Sequence, residues 1–476
     1  MEKLFLFGTG KISKKYTQIL NHLPVEIEGY VDNDKVKWGS FFGGEKIFSP
    51  DVLERVTNSH ILVACAAKEE IEKQLAEMGL TKRVVSFWQV LKLYSNVLLG
   101  TGMTSIDQQI NTGKKSLADR TIVIDNFYGS WGAEDWCHVV ASALIEQNSN
   151  VFVIENKRQP YIERLDKNII HIDTEGKSNY QIYQEFVHVL MNIGPFVLFN
   201  VWNSELLWAA ATIKYVYPED AFIISSVLND GSYEEWHEWE EITDKYICIS
   251  SKIQRNLVGC YKIKGEKVCY ISPFIEKIRV VNRRYSTEES EPIKIGYPCR
   301  LERAQKRADL IPQLIEYLEV RQVHYVLNIA GDGLCGKEIE KYVEKKCLHE
   351  KVKFYGKLTR TELTDFLDCQ DIYLNFSEYE GTSLTMLEAM ASGCVPVVTN
   401  VSGVDDFIES GINGLIADVG DLGKIAEHIV SLDKNRNILA EYGQKCMDKV
   451  SRKCSLDKYI ANIQEELKSL QKVDGI

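Results

Sequence analysis

The sequence predicts an α/β protein in which one small and two larger parallel-sheet units follow one another. Three observations carry this. Short β-branched and aromatic runs alternate with amphipathic stretches almost throughout, the pattern of βαβ units. The alternation lapses and restarts twice, in NVLLGTGMTSIDQQINTGKKSL at 96–117 and in the polar RRYSTEESEPIK at 283–294. Glycine-rich loops follow several of the strand-like runs, where open α/β sheets take their ligands.

The first unit, 1–95, has strand-like KLFLFG (3–8), VEIEGYVD (25–32), HILVAC (60–65) and RVVSF (83–87). Helical stretches lie between them, one opened by Ser49-Pro50-Asp51, a cap and first turn. This reads as a small Rossmann-like accessory domain, with 96–117 as a linker. The second unit, 118–285, runs through TIVIDNFYGSWGAED (121–135), NVFVIE (150–155), NIIHID (168–173), FVLFNVW (196–202), AFIISSVL (221–228) and KYICISS (245–251). The third, 286–455, has IKIGYPCR (293–300), HYVLNIAGDG (324–333), KVKFYG (351–356), DIYLNFS (371–377) and CVPVVTN (394–400). Helical, charged sequence fills the end, and 456–476 reads as a last helix crossing back to the second unit.

Composition narrows the function classes. A formal charge of −12 argues against a sequence-indifferent nucleic-acid binder, which needs a basic footprint. No apolar run approaches the roughly 18 residues of a membrane span. The opening MEKLFLFGTGKISKK is too short in its apolar part for a signal peptide, so a cytoplasmic location is expected. The 12 cysteines form no CxxC pair and the 9 histidines are dispersed, which excludes the usual zinc patterns and suits a reducing compartment. No metal is expected.

Three loops carry candidate chemistry. GTGKIS (8–13) supplies Gly8 and Gly10 for a tight turn, with Asp32 closing the next strand as a partner for ribose hydroxyls. Ser13 stands at the third glycine position, so the loop reads either as an accessory nucleotide site or as a vestigial or interaction domain. GSWGAED (129–135) offers Gly132 at a helix start and Trp131 as a stacking face, or else a simple turn with a core tryptophan. The third is a constellation. Arg300 and Lys306 follow the strand IKIGYPCR, at the same sheet end as Gly331-Asp332-Gly333 and the segment EYEGTSLTMLEAMASGCVPVV (378–398). Two cations there neutralise a diphosphate, one through a fork of donors and one as a point charge. Thr382, Ser383 and Leu384 open a helix whose free N–H groups favour an anion. Glu380 and Glu388 sit in this tightly packed stretch, where a carboxylate is costly unless something pairs with it.

EYEGTSLTMLEAMASGCVPVVTN resembles the E-x7-E signature of the retaining family 4 glycosyltransferases, which have the two-domain GT-B fold. CRLERAQKR resembles that family's Arg…Lys diphosphate clamp, LNIAGDG its nucleotide loop, and VKFYGKLTRTELTDFLDCQDIYLNFS the stretch before the signature. GSWGAED and DKYICISSKIQRNL resemble features of its first half. Five residues separate Arg300 from Lys306 where many members have four, and Asn229 or Leu228 stands before Asp230 where many have histidine. The first 95 residues lie outside this resemblance. They are similar to the small Rossmann-like domain at the front of nucleotide-sugar acyltransferases and related polysaccharide enzymes.

The resemblance implies two tandem Rossmann-like domains facing a cleft, and transfer of a sugar from a nucleoside-diphosphate sugar to an acceptor hydroxyl with retention. Arg300 and Lys306 would take the growing charge of the leaving diphosphate without a metal, and Glu380 would hold hydroxyls of the transferred sugar. Glu388 would accept from the ribose. Gly331, Gly333, Lys357, Leu358, Gly381, Thr382, Ser383 and Leu384 would line the donor. The acceptor, a saccharide or a lipid- or protein-linked glycan, would enter near Trp131, Gly132 and Asp230, with peripheral membrane contact open. Two rivals remain: an oxidoreductase or epimerase with NAD at GTGKIS, disfavoured by the missing glycine, and a non-catalytic nucleotide-sugar-binding module.

Overall fold

The computed structural model describes the chain except for residues 1–2, 101–119, 127–132, 157–164, 201–202, 231–238, 276–282, 289 and 471–476. It divides into two compact units, Met1–Ile224 and Ser225–Ile476. Three sheets are built almost entirely of parallel pairs.

The first sheet comprises β1 (Lys3–Phe7), β2 (Glu26–Val31), β3 (Phe41–Phe42), β4 (Glu45–Phe48), β5 (His60–Val63) and β6 (Val84–Val85), in the order β3-β4-β2-β1-β5-β6. It is mixed, because β3 and β4 pair antiparallel. That hairpin is absent from the sequence reading, although FFGGEKIF carries its signal. Gly43 and Gly44, at φ +60° and +98°, form the two-residue turn that only glycine enters freely. A second difference lies at 86–100. The presumed strand end and the start of the presumed linker form one helix, Phe87–Gly100. Ser86 and Gln89 exchange backbone-to-side-chain hydrogen bonds of 2.9 and 3.2 Å, a capping box that explains where it begins.

The second sheet has β7 (Thr121–Asp125), β8 (Val151–Glu155), β9 (Ile169–His171), β10 (Phe196–Asn200), β11 (Ala221–Val227), β12 (Lys245–Cys248) and β13 (Val268–Tyr270), in the order β13-β12-β11-β10-β7-β8-β9. The division between the units falls within β11. Strand β13 was not anticipated: it is only three residues long, Val268–Tyr270.

Within the first unit, the front sheet is fastened to the helices that cover β7–β10. Tyr16 stacks on Phe87 with centroids 4.0 Å apart, Phe87 lies 4.9 Å from Trp208, and His22 stacks on Tyr180 at 3.5 Å. Lys15 pairs at 2.8 Å with Glu205, which is only 2% exposed.

The third sheet lies in the second unit: β14 (Ile293–Pro298), β15 (Tyr325–Ala330), β16 (Val352–Gly356), β17 (Ile372–Asn375), β18 (Val395–Thr399) and β19 (Leu415–Ala417), ordered β16-β15-β14-β17-β18-β19. β14 is central and buried on both faces, as a near-continuous apolar run requires. The helices Leu422–Lys434, Asn437–Lys453 and Leu456–Leu470 close the chain. The last of these pairs Glu466 with Lys245 at 2.7 Å and packs Tyr459 against Phe274. Among the described residues no helix is long and apolar enough to cross a membrane.

Candidate functional site

The carboxyl end of β14 fixes the first cation pair. After Pro298 the chain turns through Cys299 and Arg300, and Leu301 is clamped to the loop after β15. Its N–H donates to Asp332 O at 2.8 Å, and its carbonyl accepts from Cys335 N at 2.9 Å. This clamp is why Gly331 and Gly333 are glycines. Their φ values are +144° and +147°, and a Cβ on either would overlap the carbonyl of Cys299 or Leu301. The missing side chains of both admit backbone of their own unit.

Lys306 is aimed from below. The buried Tyr297 stacks on Phe376 at 5.0 Å, and its hydroxyl donates to the Lys306 carbonyl at 2.7 Å. Arg307 follows in a left-handed conformation, φ +51°, and pairs with Glu378 at 2.8 Å. The Lys306 ammonium makes a short ion pair with Glu380, which is 6% exposed. Glu380 also accepts from Ser377 Oγ at 2.7 Å and from Gln305 Nε2 at 3.3 Å. Arg300 is largely exposed and rests on Glu302 at 3.0 Å and Gln305 at 2.8 Å. The buried carboxylate of Glu380 is therefore paired, and its partner is Lys306. Cys299 lies among these charges, but burial pushes its thiol up to about 12, so it stays protonated and offers no nucleophile.

The helix Leu384–Ala391 begins at Ser383, whose side chain caps Met386 N at 3.3 Å. Glu388, half-buried on this helix, lies 3.9 Å from Arg360 at the start of the helix Arg360–Asp368. Arg360 was not singled out from sequence, although it follows Lys357 and Leu358 in the same loop. Lys357 is exposed, and Leu358 packs against the buried cluster beneath this helix.

Gly381 and Thr382 have partners within the second unit. A Cβ at Gly381 would overlap the Leu228 carbonyl, and Thr382 Oγ1 donates to Ile249 O at 2.7 Å. Gly403, at φ +81°, admits Thr382 in turn. The loop that follows β11 is thus seated on the loop that carries Glu380. It brings Asp230 within electrostatic reach of Glu380 and Lys252. Burial, reinforced by the Glu380 charge, raises the Asp230 carboxyl above the usual carboxylate range, against the pull of Lys252. Its Oδ1 is buried and makes no hydrogen bond.

Gly8, Gly10 and Asp32 belong to the first unit. Gly8, at φ +117°, admits Ala64, whose carbonyl would lie 2.8 Å from an added Cβ. Ser13 closes the same loop by donating to Gly8 O at 2.6 Å. Gly10 is the N-cap of the helix Lys11–Leu20. Asp32 already accepts from Thr9 Oγ1, from Lys37 Nζ at 2.9 Å and from Asp34 N at 2.9 Å. Burial alone would raise its pKa, but these donors hold it below the usual range. Trp131 and Gly132 lie outside the described residues. Just before them is a buried network absent from the sequence reading: Asn126, after β7, donates to Glu155, at the end of β8, at 2.8 Å, and His138 bonds the same carboxylate. Polar residues closing two adjacent apolar strands were its signal. Among the described residues no cluster of three metal-ligating side chains occurs.

Residues 280–446 match the family described as Glycosyl transferases group 1, and residues 1–85 that described as C2185-like, N-terminal. The chain is 29% identical over 195 residues to a poly(ribitol-phosphate) alpha-N-acetylglucosaminyltransferase of Staphylococcus aureus, covering 40% of this chain and 38% of that one. It is 26% identical over 213 residues to N-acetyl-alpha-D-glucosaminyl L-malate synthase of Bacillus anthracis, covering 45% and 54%. It spans about half the length of the curated relatives it matches. Among solved structures, Anabaena HepE in complex with UDP superposes with a TM-score of 0.60 at 15% identity, over 74% of this chain and all of that one. A Staphylococcus aureus TarM mutant, in complex with fondaparinux, alpha-GlcNAc-glycerol and UDP, superposes at 0.51 and 16% identity over 99% of this chain and 100% of that one. The chain thus carries a glycosyltransferase group 1 domain in an α/β fold of GT-B type, preceded by a small domain with a mixed sheet.

Proposed function

We propose that this chain transfers a sugar from a nucleoside-diphosphate sugar to an acceptor hydroxyl, with retention at the anomeric carbon and without a metal, as a family 4 type enzyme. The observation that carries the reading is the Lys306–Glu380 pair beside Arg300, at the carboxyl end of a parallel sheet and within the segment that matches glycosyltransferases. The pair accounts for the cost of burying Glu380 and suggests how the site loads. A diphosphate entering between Arg300 and Lys306 competes with Glu380 for the lysine. Once the ammonium turns to phosphate, Glu380 is left with Ser377 and Gln305 and is available to sugar hydroxyls. As the glycosidic bond to phosphate breaks, both cations already face the oxygen that gains charge, which lowers the barrier without reorganisation.

Relatives and neighbours named for N-acetylglucosamine transfer or for UDP complexes support a UDP-sugar donor, and we place the acceptor in surface polysaccharide, glycolipid or glycoprotein glycan synthesis. We place the reaction on the cytoplasmic side, with membrane contact only peripheral. An NAD-linked reading is weakened by Asp32, whose oxygens are committed to Thr9, Lys37 and Asp34. The test is a panel of nucleotide sugars, followed for nucleoside diphosphate release in the presence of a chelator. Proton NMR of the first-formed glycoside then gives its configuration. Release with no loss of anomeric configuration supports the reading; an inverted product removes retention, and no release from any donor removes transfer.

A further inference from the structure

Beside Glu380 sits a hydroxyl whose hydrogen is claimed twice. Ser377 lies just past the carboxyl end of β17 and is 0% exposed. Its backbone is fixed from two sides. Thr399 Oγ1, at the end of β18, donates to the Ser377 carbonyl at 2.7 Å, and the Ser377 N–H donates to Asn375 Oδ1 at 2.8 Å. The preceding Phe376 is held by its stack on Tyr297. What stays free is rotation of the hydroxyl hydrogen about the Cβ–Oγ bond.

Two oxygens compete for that hydrogen. Asn375 Oδ1 lies 2.6 Å from Ser377 Oγ, and Glu380 Oε1 lies 2.7 Å from it. A hydroxyl has a single hydrogen, and an ion-paired carboxylate only accepts. The same Oε1 carries the ion pair to Lys306. Turning the Asn375 amide over does not relieve the shortage, because its NH2 would then face the Ser377 N–H. In the observed orientation Asn375 Nδ2 donates the other way, to the Tyr373 hydroxyl at 3.2 Å. Whichever oxygen the hydroxyl serves, the other is left in a bare oxygen–oxygen contact, which is unfavourable in a buried site. Local structure does not require the hydroxyl, since Asn375 would hold the Ser377 N–H without it.

We infer that Ser377 is a positioning residue for Glu380 and that its hydrogen follows the donor. In the empty site Lys306 satisfies Glu380 Oε1, and the Ser377 hydrogen serves Asn375. When the ammonium turns to an entering diphosphate, Oε1 loses its cation. The hydroxyl then rotates to it, because a hydrogen bond to a carboxylate is roughly twice as strong as one between neutral groups. Ser377 thereby holds one carboxylate oxygen while Gln305 Nε2, 3.3 Å from Oε2, holds the other. Together they fix the plane in which Glu380 meets the hydroxyls of the transferred sugar. No covalent bond changes and no proton leaves its oxygen. The inference rests on the glycosyltransferase reading and deepens it.

Because Ser377 acts through Glu380, its loss must carry the signature of Glu380. Ser377→Ala is expected to lower kcat for nucleoside diphosphate release from a nucleotide sugar by roughly 10-fold, near the low end of what a hydrogen bond to a charged group contributes, with a smaller change in KM. Ser377→Cys keeps a similar shape but only a weak donor, and should fall likewise. A double-mutant cycle with Glu380→Ala separates positioning from packing: once the carboxylate is gone, removing the hydroxyl should lower kcat no further. Melting temperatures show which variants are folded. A folded Ser377→Ala or Ser377→Cys with the wild-type kcat overturns the inference and leaves the transferase reading standing. So does a loss that adds in full to that of Glu380→Ala, or loss of the fold in both serine variants, since either would make the hydroxyl part of the packing. A wild type that releases no nucleoside diphosphate from any nucleotide sugar removes the reading and this inference with it.

Discussion

At the scale of single residues, the two glutamates of the signature have different surroundings and should fail differently. Glu380 is buried and ion-paired with Lys306, whereas Glu388 is half-buried and 3.9 Å from the largely exposed Arg360. With Glu388 on the ribose, which does not change in the reaction, Glu388→Gln should raise KM with little effect on kcat. With Glu380 on the transferred sugar, Glu380→Gln should lower kcat on the order of 10²-fold, like the loss of one preorganised transition-state contact. Steady-state kinetics on folded variants checks both, and unchanged constants in both would reduce the acids to packing. The site was legible to this extent because its residues lie in short local patterns. What each oxygen already holds was not. Asp32 has a place in its loop that suits a ribose, but Lys37 and Thr9 take its oxygens, and that depends on side-chain geometry no spacing records.

At the scale of elements, strand positions were readable because central parallel strands are continuous apolar runs, as in β14 and β18. Short edge strands were not, because β3 and β13 carry two and three residues and draw their pairing from neighbours. The glycines show the same limit. Gly381 was expected to line the donor, and the space its missing side chain leaves is filled by a carbonyl more than 150 residues earlier in the chain. Gly381→Ala is therefore expected to destabilise the second unit by roughly 1–3 kcal/mol through overpacking. Gly10→Ala, where nothing lies within 4 Å of the new methyl, should be close to neutral. Chemical denaturation of both variants checks this, and equal stabilities would mean that the loop after β11 yields freely.

At the scale of the whole molecule, the first hundred residues are bound into the first unit rather than appended to it. Tyr16 and Phe87 cover Trp208, and Lys15 neutralises the buried Glu205. Lys15→Met should lower stability by roughly 1–3 kcal/mol, the penalty of a buried group left without its partner, and adding Glu205→Leu should restore much of it. A single variant that melts like the wild type would show that solvent screens the pair. The central claim concerns the other unit: the cations after β14 take the charge of a leaving diphosphate. The most direct measurement is the rate of nucleoside diphosphate release from the preferred nucleotide sugar by the wild type, Arg300→Ala and Lys306→Ala. Arg300 is largely exposed and bonded only locally to Glu302 and Gln305 among its described contacts, so its variant should fold normally. The account predicts that kcat falls by about 10²–10³ in each variant, as when a preorganised charge contact is lost from a transition state. Release at the wild-type rate by a folded Arg300→Ala and a folded Lys306→Ala would contradict it.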